Sequence, residues 1–156
     1  MTKLQILNSK QSKKIYELLE HFAFTKRFGD SVLLQAGENI YLSSRELFAI
    51  GLEKLNINSL GVYIAEIKNG EVRLSIEGSQ LIGPHSKKNV VELGDEEAAL
   101  WMTGEDIGIP KAAGEAEGFV MLRHGKDFLG SGKIKNGAIL NFVPKARRIK
   151  QAQIKK

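Results

Sequence analysis

From Lys133 to Lys156 the chain carries eight Lys or Arg side chains and no Asp or Glu. Over its full length 23 basic groups face 18 acidic ones, a formal net charge of +5, so the excess comes from this end. A fixed block of positive charge attracts polyanions, and nucleic acid is the polyanion that cells hold most of. Charge alone would equally suit a solvated, solubilising tail. The strand-like run Ala138-Ile139-Leu140-Asn141-Phe142-Val143 lies inside the block, followed by Pro144 and the cluster Lys145, Arg147, Arg148 and Lys150. Its presence favours cations set on folded structure. They are expected to share one rigid, outward-facing surface, with Arg147 and Arg148 contacting phosphates and Lys133, Lys135, Lys145 and Lys150 extending the field.

Catalytic chemistry finds no comparable support. No P-loop, GxGxxG or HExxH pattern occurs. His21, His85 and His124 lie far apart in the chain and read as surface or capping residues. Asp95-Glu96-Glu97 suits the start of a helix, where carboxylates complement the dipole, and Glu105-Asp106 reads as a solvated turn. With no cysteine there is no disulfide, thiol nucleophile or thiolate metal site. The reading is therefore a non-enzyme with no cofactor and no metal.

The segment Phe128-Leu129-Gly130-Ser131-Gly132-Lys133-Ile134 is more pointed, because glycines in a strand give up packing and ordering entropy. Barrel curvature, a tight crossing or a nucleic-acid backbone lying against the strand would each explain it. Phe128 and Phe142 read as core, and Trp101 as packing a short helix. Base stacking is thus not evident, and binding is expected to be weak, salt-sensitive and backbone-driven.

The elements that must position these groups follow from periodicity. Residues 9–25 predict a helix capped by Ser9 or Ser12, with Ile15, Leu18, Leu19 and Phe22 on one face. Residues 31–35 and 39–42 predict a hairpin. Ser43 and Glu46 then form a capping box opening a helix with Leu47, Ile50, Leu52 and Leu55. Residues 60–67 and 71–76 predict a second hairpin around Asn69-Gly70, the strongest turn signal in the chain. Gly78, Ser79, Gly83, Pro84 and Ser86 mark 78–86 as a boundary segment. Beyond it lie a strand at 88–93, a short helix at 95–102, a loop through 107–118, and strands at 119–122, 128–134 and 138–143. Short strands with Gly-bearing turns suggest a small β-barrel.

The fold class read from this is α+β: an N-terminal α/β domain with an antiparallel sheet, 1–79, and a C-terminal barrel domain with the basic segment, 80–156. Hydrophobic content of 42% and charged content of 26% suit a globular chain. No apolar run approaches the roughly 20 residues of a membrane span. The start lacks the apolar run and small-residue cleavage site of a signal peptide. A cytoplasmic location, or a nuclear or nucleolar one in a eukaryote, and a monomer are expected.

The order KNVVELGDEEAALWMTGEDIGIP, GFVMLRHGKDFLGSGKI, GAILNFVPKARRI resembles a PUA domain, the small RNA-binding barrel named after pseudouridine synthases and archaeosine transglycosylases. With the preceding YLSSRELFAIGLEKLNINSLGVYIAEIKNGEVRLSIEGSQLIGPHSKKNVVEL, the chain is similar over residues 10–150 to the Nip-seven family of ribosome-assembly factors, its archaeal members above all. That resemblance implies a non-catalytic factor in large-subunit biogenesis and rRNA processing, binding single-stranded or U-rich RNA through the PUA surface. It also implies that the N-terminal domain meets other assembly factors or the exosome. The family's basic RNA-binding residues fall on Arg147 and Arg148. Further family positions meet Gln151 and Ile154, with Lys150, Lys155 and Lys156 nearby. Two other readings stay open: a protein-interaction adaptor whose basic end docks on acidic partners, and an accessory subunit of an RNA-modifying enzyme.

Overall fold

A computed structural model describes residues 4–46 and 61–150. The first helix, α1 (Ser9–Leu19), opens on Asn8. Its side chain accepts from Gln11 N at 2.8 Å, while Gln11 Oε1 accepts from Asn8 N at 3.0 Å. This reciprocal cap satisfies two backbone donors where Ser9 or Ser12 would satisfy one, so the cap falls earlier than expected. α1 tightens into a 3-10 turn, Glu20–Phe22, and stops at Ala23 in the left-handed region, short of residue 25. Ile15, Leu19 and Phe22 are buried on the predicted face.

The first sheet contains β1 (Gln5–Ile6), β2 (Ser31–Ala36), β3 (Asn39–Ser44), β4 (Val62–Lys68) and β5 (Glu71–Leu74), antiparallel throughout and in chain order. Both expected hairpins form. Asn69 and Gly70, at φ 53° and 74°, supply the left-handed pair that a tight two-residue turn needs. The two-residue β1 carried no periodicity from which it could be predicted. The apolar positions Leu47, Ile50, Leu52 and Leu55 of the second expected helix lie outside the described residues.

α2 (Ile76–Ile82), continued by a 3-10 turn, Gly83–His85, runs through the segment read as a boundary. Ser75 caps it, accepting from Gly78 N at 2.9 Å and donating to Tyr63 O at 2.7 Å. Gly78 and Ser79, read as breakers, are buried contact residues. A Cβ at Gly78 would run into the Ile64 carbonyl, so the glycine lets α2 lie directly on β4.

The second sheet has the order β6 (Val90–Glu92), β8 (Phe119–His124), β9 (Asp127–Lys135), β10 (Ala138–Asn141), β7 (Ile107–Gly108). β6 runs parallel to β8, and the other pairs are antiparallel. The helix α3 (Asp95–Met102) has the predicted bounds. β7 falls where a loop was expected, because two residues paired with β10, with Ile107 buried in the core, are too short for a periodicity.

Two apolar cores result, and they interleave at α2. Ile82, Met121 and Phe128 join α1 and the first sheet, whereas Ile76 joins Trp101, Val120 and Ile139. Each large side chain so buried stabilises by roughly 1.5–3 kcal/mol. Trp101 is fully buried and donates Nε1 to Leu129 O at 3.0 Å. It also explains the Gly-x-Gly segment. A Cβ on Gly132 would lie 2.5 Å from Ile139 Cγ2, 2.6 Å from Trp101 Cη2 and 2.8 Å from Leu140 O. Of the three purposes considered, Gly132 serves a tight crossing. Between the glycines, Ser131 Oγ accepts from Leu74 N at 3.0 Å and ties β5 to β9. Ser79 Oγ accepts from Gly130 N at the same distance, tying α2 to β9. No helix among the described residues is long and apolar enough to cross a membrane.

Candidate nucleic-acid interface

Strand alternation decides which charges meet where the two sheets join. In β5, Val72 and Leu74 enter the core, so Glu71 and Arg73 point the other way. Glu66 and Lys68 share one face of β4, and Lys133 and Lys135 share one face of β9. Tying β5 to β9 through Ser131 brings these faces together around a recess of about 310 Å³. Lys68, Arg73, Lys133 and Lys135 line it, as do the rings of Phe119 and Phe142. A smaller depression of about 110 Å³ adjoins it, lined by Tyr63, Glu77, Pro144 and Arg147 among others. Arg73 and Phe142 line both, so the two form one path across the junction.

The cations on this path are graded by their partners. Arg73 Nη2 donates to Glu66 Oε2 at 2.8 Å, and Lys133 Nζ donates to Glu71 Oε2 at 2.8 Å. Arg147 Nη1 reaches both oxygens of Glu77, at 2.8 and 2.9 Å. Lys68 and Lys135 form no ion pair among the described residues. Every pair is partly solvated, with the Arg147 and Glu77 side chains 47% and 39% exposed. Such pairs are worth about 0–1 kcal/mol, so exchanging a carboxylate for a phosphate on the same cation costs little. The cations are therefore held in place without being tied down.

Two of the cations also sit on rings. Arg73 Cζ lies 4.6 Å from the Phe142 centroid, and Lys133 Nζ lies 5.1 Å from that of Phe119. The rings themselves are 5.8 Å apart and tilted by 49°. Phe142 was read as core from its place in an apolar run. It is instead half-buried on the path, because it shares a face with Leu140, which also lines the recess, while Ile139 and Val143 take the buried face. Phe128 is buried as expected. Burial pushes the Tyr63 phenol above its ordinary pKa, and the nearby Arg73 guanidinium offsets part of that rise.

Of the six cations expected to act together, Lys133 and Lys135 line the larger recess and Arg147 the smaller. Lys145 and Lys150 are exposed on the segment after Pro144. Arg148 points elsewhere: its Nε donates to Val143 O at 3.0 Å, and its side chain covers Gly104 at the end of α3. Ile149 N donates to Met102 O at 2.8 Å, fixing this segment on α3. The placement differs from one shared outward-facing surface in two respects. Arg147 and Lys133 carry carboxylate partners, and the adjacent guanidinium groups of Arg147 and Arg148 diverge because the Glu77 carboxylate engages the first and the Val143 carbonyl the second. Lys68, Arg73, Tyr63, Phe119 and Phe142 were not anticipated as site residues. The alternation of charge in β4 and β5 was the one available signal for the first two.

The other chemistry-bearing residues have structural partners. His21 Nε2 lies 2.7 Å from Phe119 O, and Asn89 Nδ2 donates to His21 O at 2.7 Å, joining the end of α1 to the second sheet. His124 pairs with Asp95 at 2.7 Å, and Glu97 Oε1 accepts from Gly94 N at 3.0 Å as the cap of α3. Glu92 accepts from Arg123 Nε and from Gly125 N, and these two bonds hold its carboxyl below the ordinary range.

Residues 88–149 match the family described as the methyltransferase RsmF PUA domain, and this part of the chain is a PUA-type domain. A "ribosomal RNA small subunit methyltransferase F" from Aeromonas hydrophila is 33% identical over 92 residues, 59% of this chain and 19% of that protein. The protein so named from Vibrio campbellii is 25% identical over 141 residues, 88% of this chain and 29% of that protein. The chain thus spans less than a third of the length of either relative. The solved structure described as a conserved PUA domain protein from Thermoplasma acidophilum superposes with a TM-score of 0.63 at 12% identity, covering 90% of this chain and 93% of that one. At that identity the likeness is one of fold, here α+β with two sheets.

Proposed function

We propose that this protein is a non-catalytic RNA-binding factor that holds single-stranded ribosomal RNA along the path between its two sheets. One observation carries the reading: Lys135, Lys133, Arg73 and Arg147 follow one another across two adjoining depressions, with half-buried rings between them. Phosphates spaced along a single strand need such a row of donors, and bound phosphate oxygens replace the weakly held carboxylates. Lys145 and Lys150 extend the field at one end. Arg148 acts by fixing the segment that carries Arg147. In this reading the unit 80–156 supplies most of the RNA contacts, while 1–79 adds one wall of the path and is the side that meets other assembly factors of the large subunit, in the cytoplasm.

A second reading is favoured by the match over residues 88–149 and by the relatives' names. The chain would then present ribosomal RNA to a methyltransferase acting on the small subunit. Crosslinking in cells followed by sequencing of the attached RNA separates the two. Reads concentrated on large-subunit rRNA support the assembly factor, reads on small-subunit rRNA support the methylation accessory, and the absence of rRNA reads rejects both. Incubation with bulk rRNA and mass spectrometry of the nucleosides tests the non-catalytic assignment, since newly modified bases would contradict it.

A further inference from the structure

The RNA reading leaves the two rings of the path without a role, and their placement is specific enough to assign one. A large aromatic side chain in a soluble protein gains most by full burial, and Phe128, a few residues away in β9, is buried in that way. Phe119 and Phe142 are only half-buried, and they line a recess whose other walls are largely charged. Phe142 lies outside both cores, while Phe119 also packs against the first. Each ring carries a cation, Arg73 over Phe142 and Lys133 beside Phe119, and the ring centroids lie 5.8 Å apart. A cation on a ring face is an arrangement in which a planar π-system can join the stack, because a guanidinium plane and an aromatic face both accept a nucleobase. The recess, about 310 Å³, stands at the lower end of the volumes that small-molecule sites occupy, roughly 300–1,000 Å³. It therefore suits one unstacked base better than a helix of bases.

We infer that Phe142, with Phe119 and the Arg73 guanidinium, forms a nucleobase subsite, so that the path reads single-stranded RNA through at least one inserted base and not by phosphates alone. This rests on the RNA reading above and adds to it a requirement for an unpaired base. Lys68, Lys133 and Lys135 surround the subsite and hold the flanking phosphates. Glu66 holds the Arg73 guanidinium over the Phe142 ring through its 2.8 Å hydrogen bond. A duplex, whose bases are already stacked, cannot use such a subsite, so the selectivity lies between single and double strands.

The test compares labelled oligouridine with an abasic oligonucleotide of the same length and backbone, by fluorescence anisotropy on the full chain. The wild-type protein is expected to bind oligouridine about tenfold more tightly than the abasic strand. Phe142→Leu is expected to remove that difference, bringing the affinity for oligouridine down to that for the abasic strand, and Phe142→Tyr to retain it. Equal wild-type affinity for the two strands overturns the subsite and leaves RNA binding standing, and this arm needs no variant to fold. Phe142→Leu that weakens both strands equally, or neither, also overturns it. Failure of the wild-type protein to bind either strand removes the RNA reading itself.

Discussion

Arg147 and Glu77 face each other at the junction of the two sheets, with Nη1 of the arginine shared between both carboxylate oxygens at 2.8 and 2.9 Å. Glu71 and Lys133 repeat the relationship at the neighbouring recess, at 2.8 Å. In each case a carboxylate of the chain's first half occupies the place a phosphate would take on a cation of the second. On the proposed reading the carboxylates compete with the bound strand. Glu77→Gln and Glu71→Gln are expected to raise single-stranded RNA affinity severalfold, since each removes a negative charge and a partner worth about 0–1 kcal/mol. Anisotropy titration at fixed salt checks this, and a fall in affinity would mean that the carboxylates position the cations for binding.

Charge reversal on the path acts in the opposite direction. Arg147→Glu together with Lys133→Glu is expected to weaken single-stranded RNA binding by at least about tenfold at moderate salt and to reduce the slope of log affinity against log salt by about 0.7 per lost phosphate contact. Arg148→Ala is expected to lower that slope less than the double reversal does, because its guanidinium is committed to Val143 O and Gly104 and acts only by holding the segment of Arg147. Titrations at several salt concentrations distinguish the two arginines.

Gly132 tests the packing that aligns the path. With Ile139, Trp101 and Leu140 all closer than 3 Å to the position of a new Cβ, Gly132→Ala must push β10 or α3 outward. Overpacking of this kind costs about 1–3 kcal/mol, read as a lower urea midpoint with an unchanged m-value. Unaltered stability would show that the crossing is loose.

Glu92 supplies a pH dependence of known sign. Hydrogen bonds from Arg123 and the Gly125 amide depress its carboxyl pKa in the folded chain. A depressed pKa adds stability above the unfolded value, and that stability is lost as pH falls through the folded one. The group is 42% exposed, so after solvent screening its share is about 0–1 kcal/mol. The stability difference between wild type and Glu92→Gln is expected to shrink between about pH 7 and about pH 3, as followed by urea denaturation. A difference that grows on acidification would contradict the assignment.

Much of the scaffold was legible because its signals are local. Asn69-Gly70 specifies a turn by backbone freedom alone, and Asp95-Glu96-Glu97 marks the start of α3 by charge. α2 was not legible, since Gly78 and Ser79 look like breakers until Ile64 O and Gly130 N are brought against them. The site divides in the same way. Lys133, Lys135 and Arg147 stand out as a cluster along the chain. Arg73 and Phe142, distant in sequence, meet because Ser131, Ser79 and the Lys133–Glu71 pair tie the first half to β9, and no periodicity within a strand encodes that meeting.

The most direct measurement of the central claim is an NMR titration of the isotopically labelled protein with oligouridine, following backbone and side-chain shifts. The account predicts that the largest perturbations fall on Lys68, Arg73, Lys133, Lys135, Phe142 and Arg147, along the path between the sheets. Perturbations confined to α1, α3 or the edge strand β6, with the path unchanged at saturation, would contradict it.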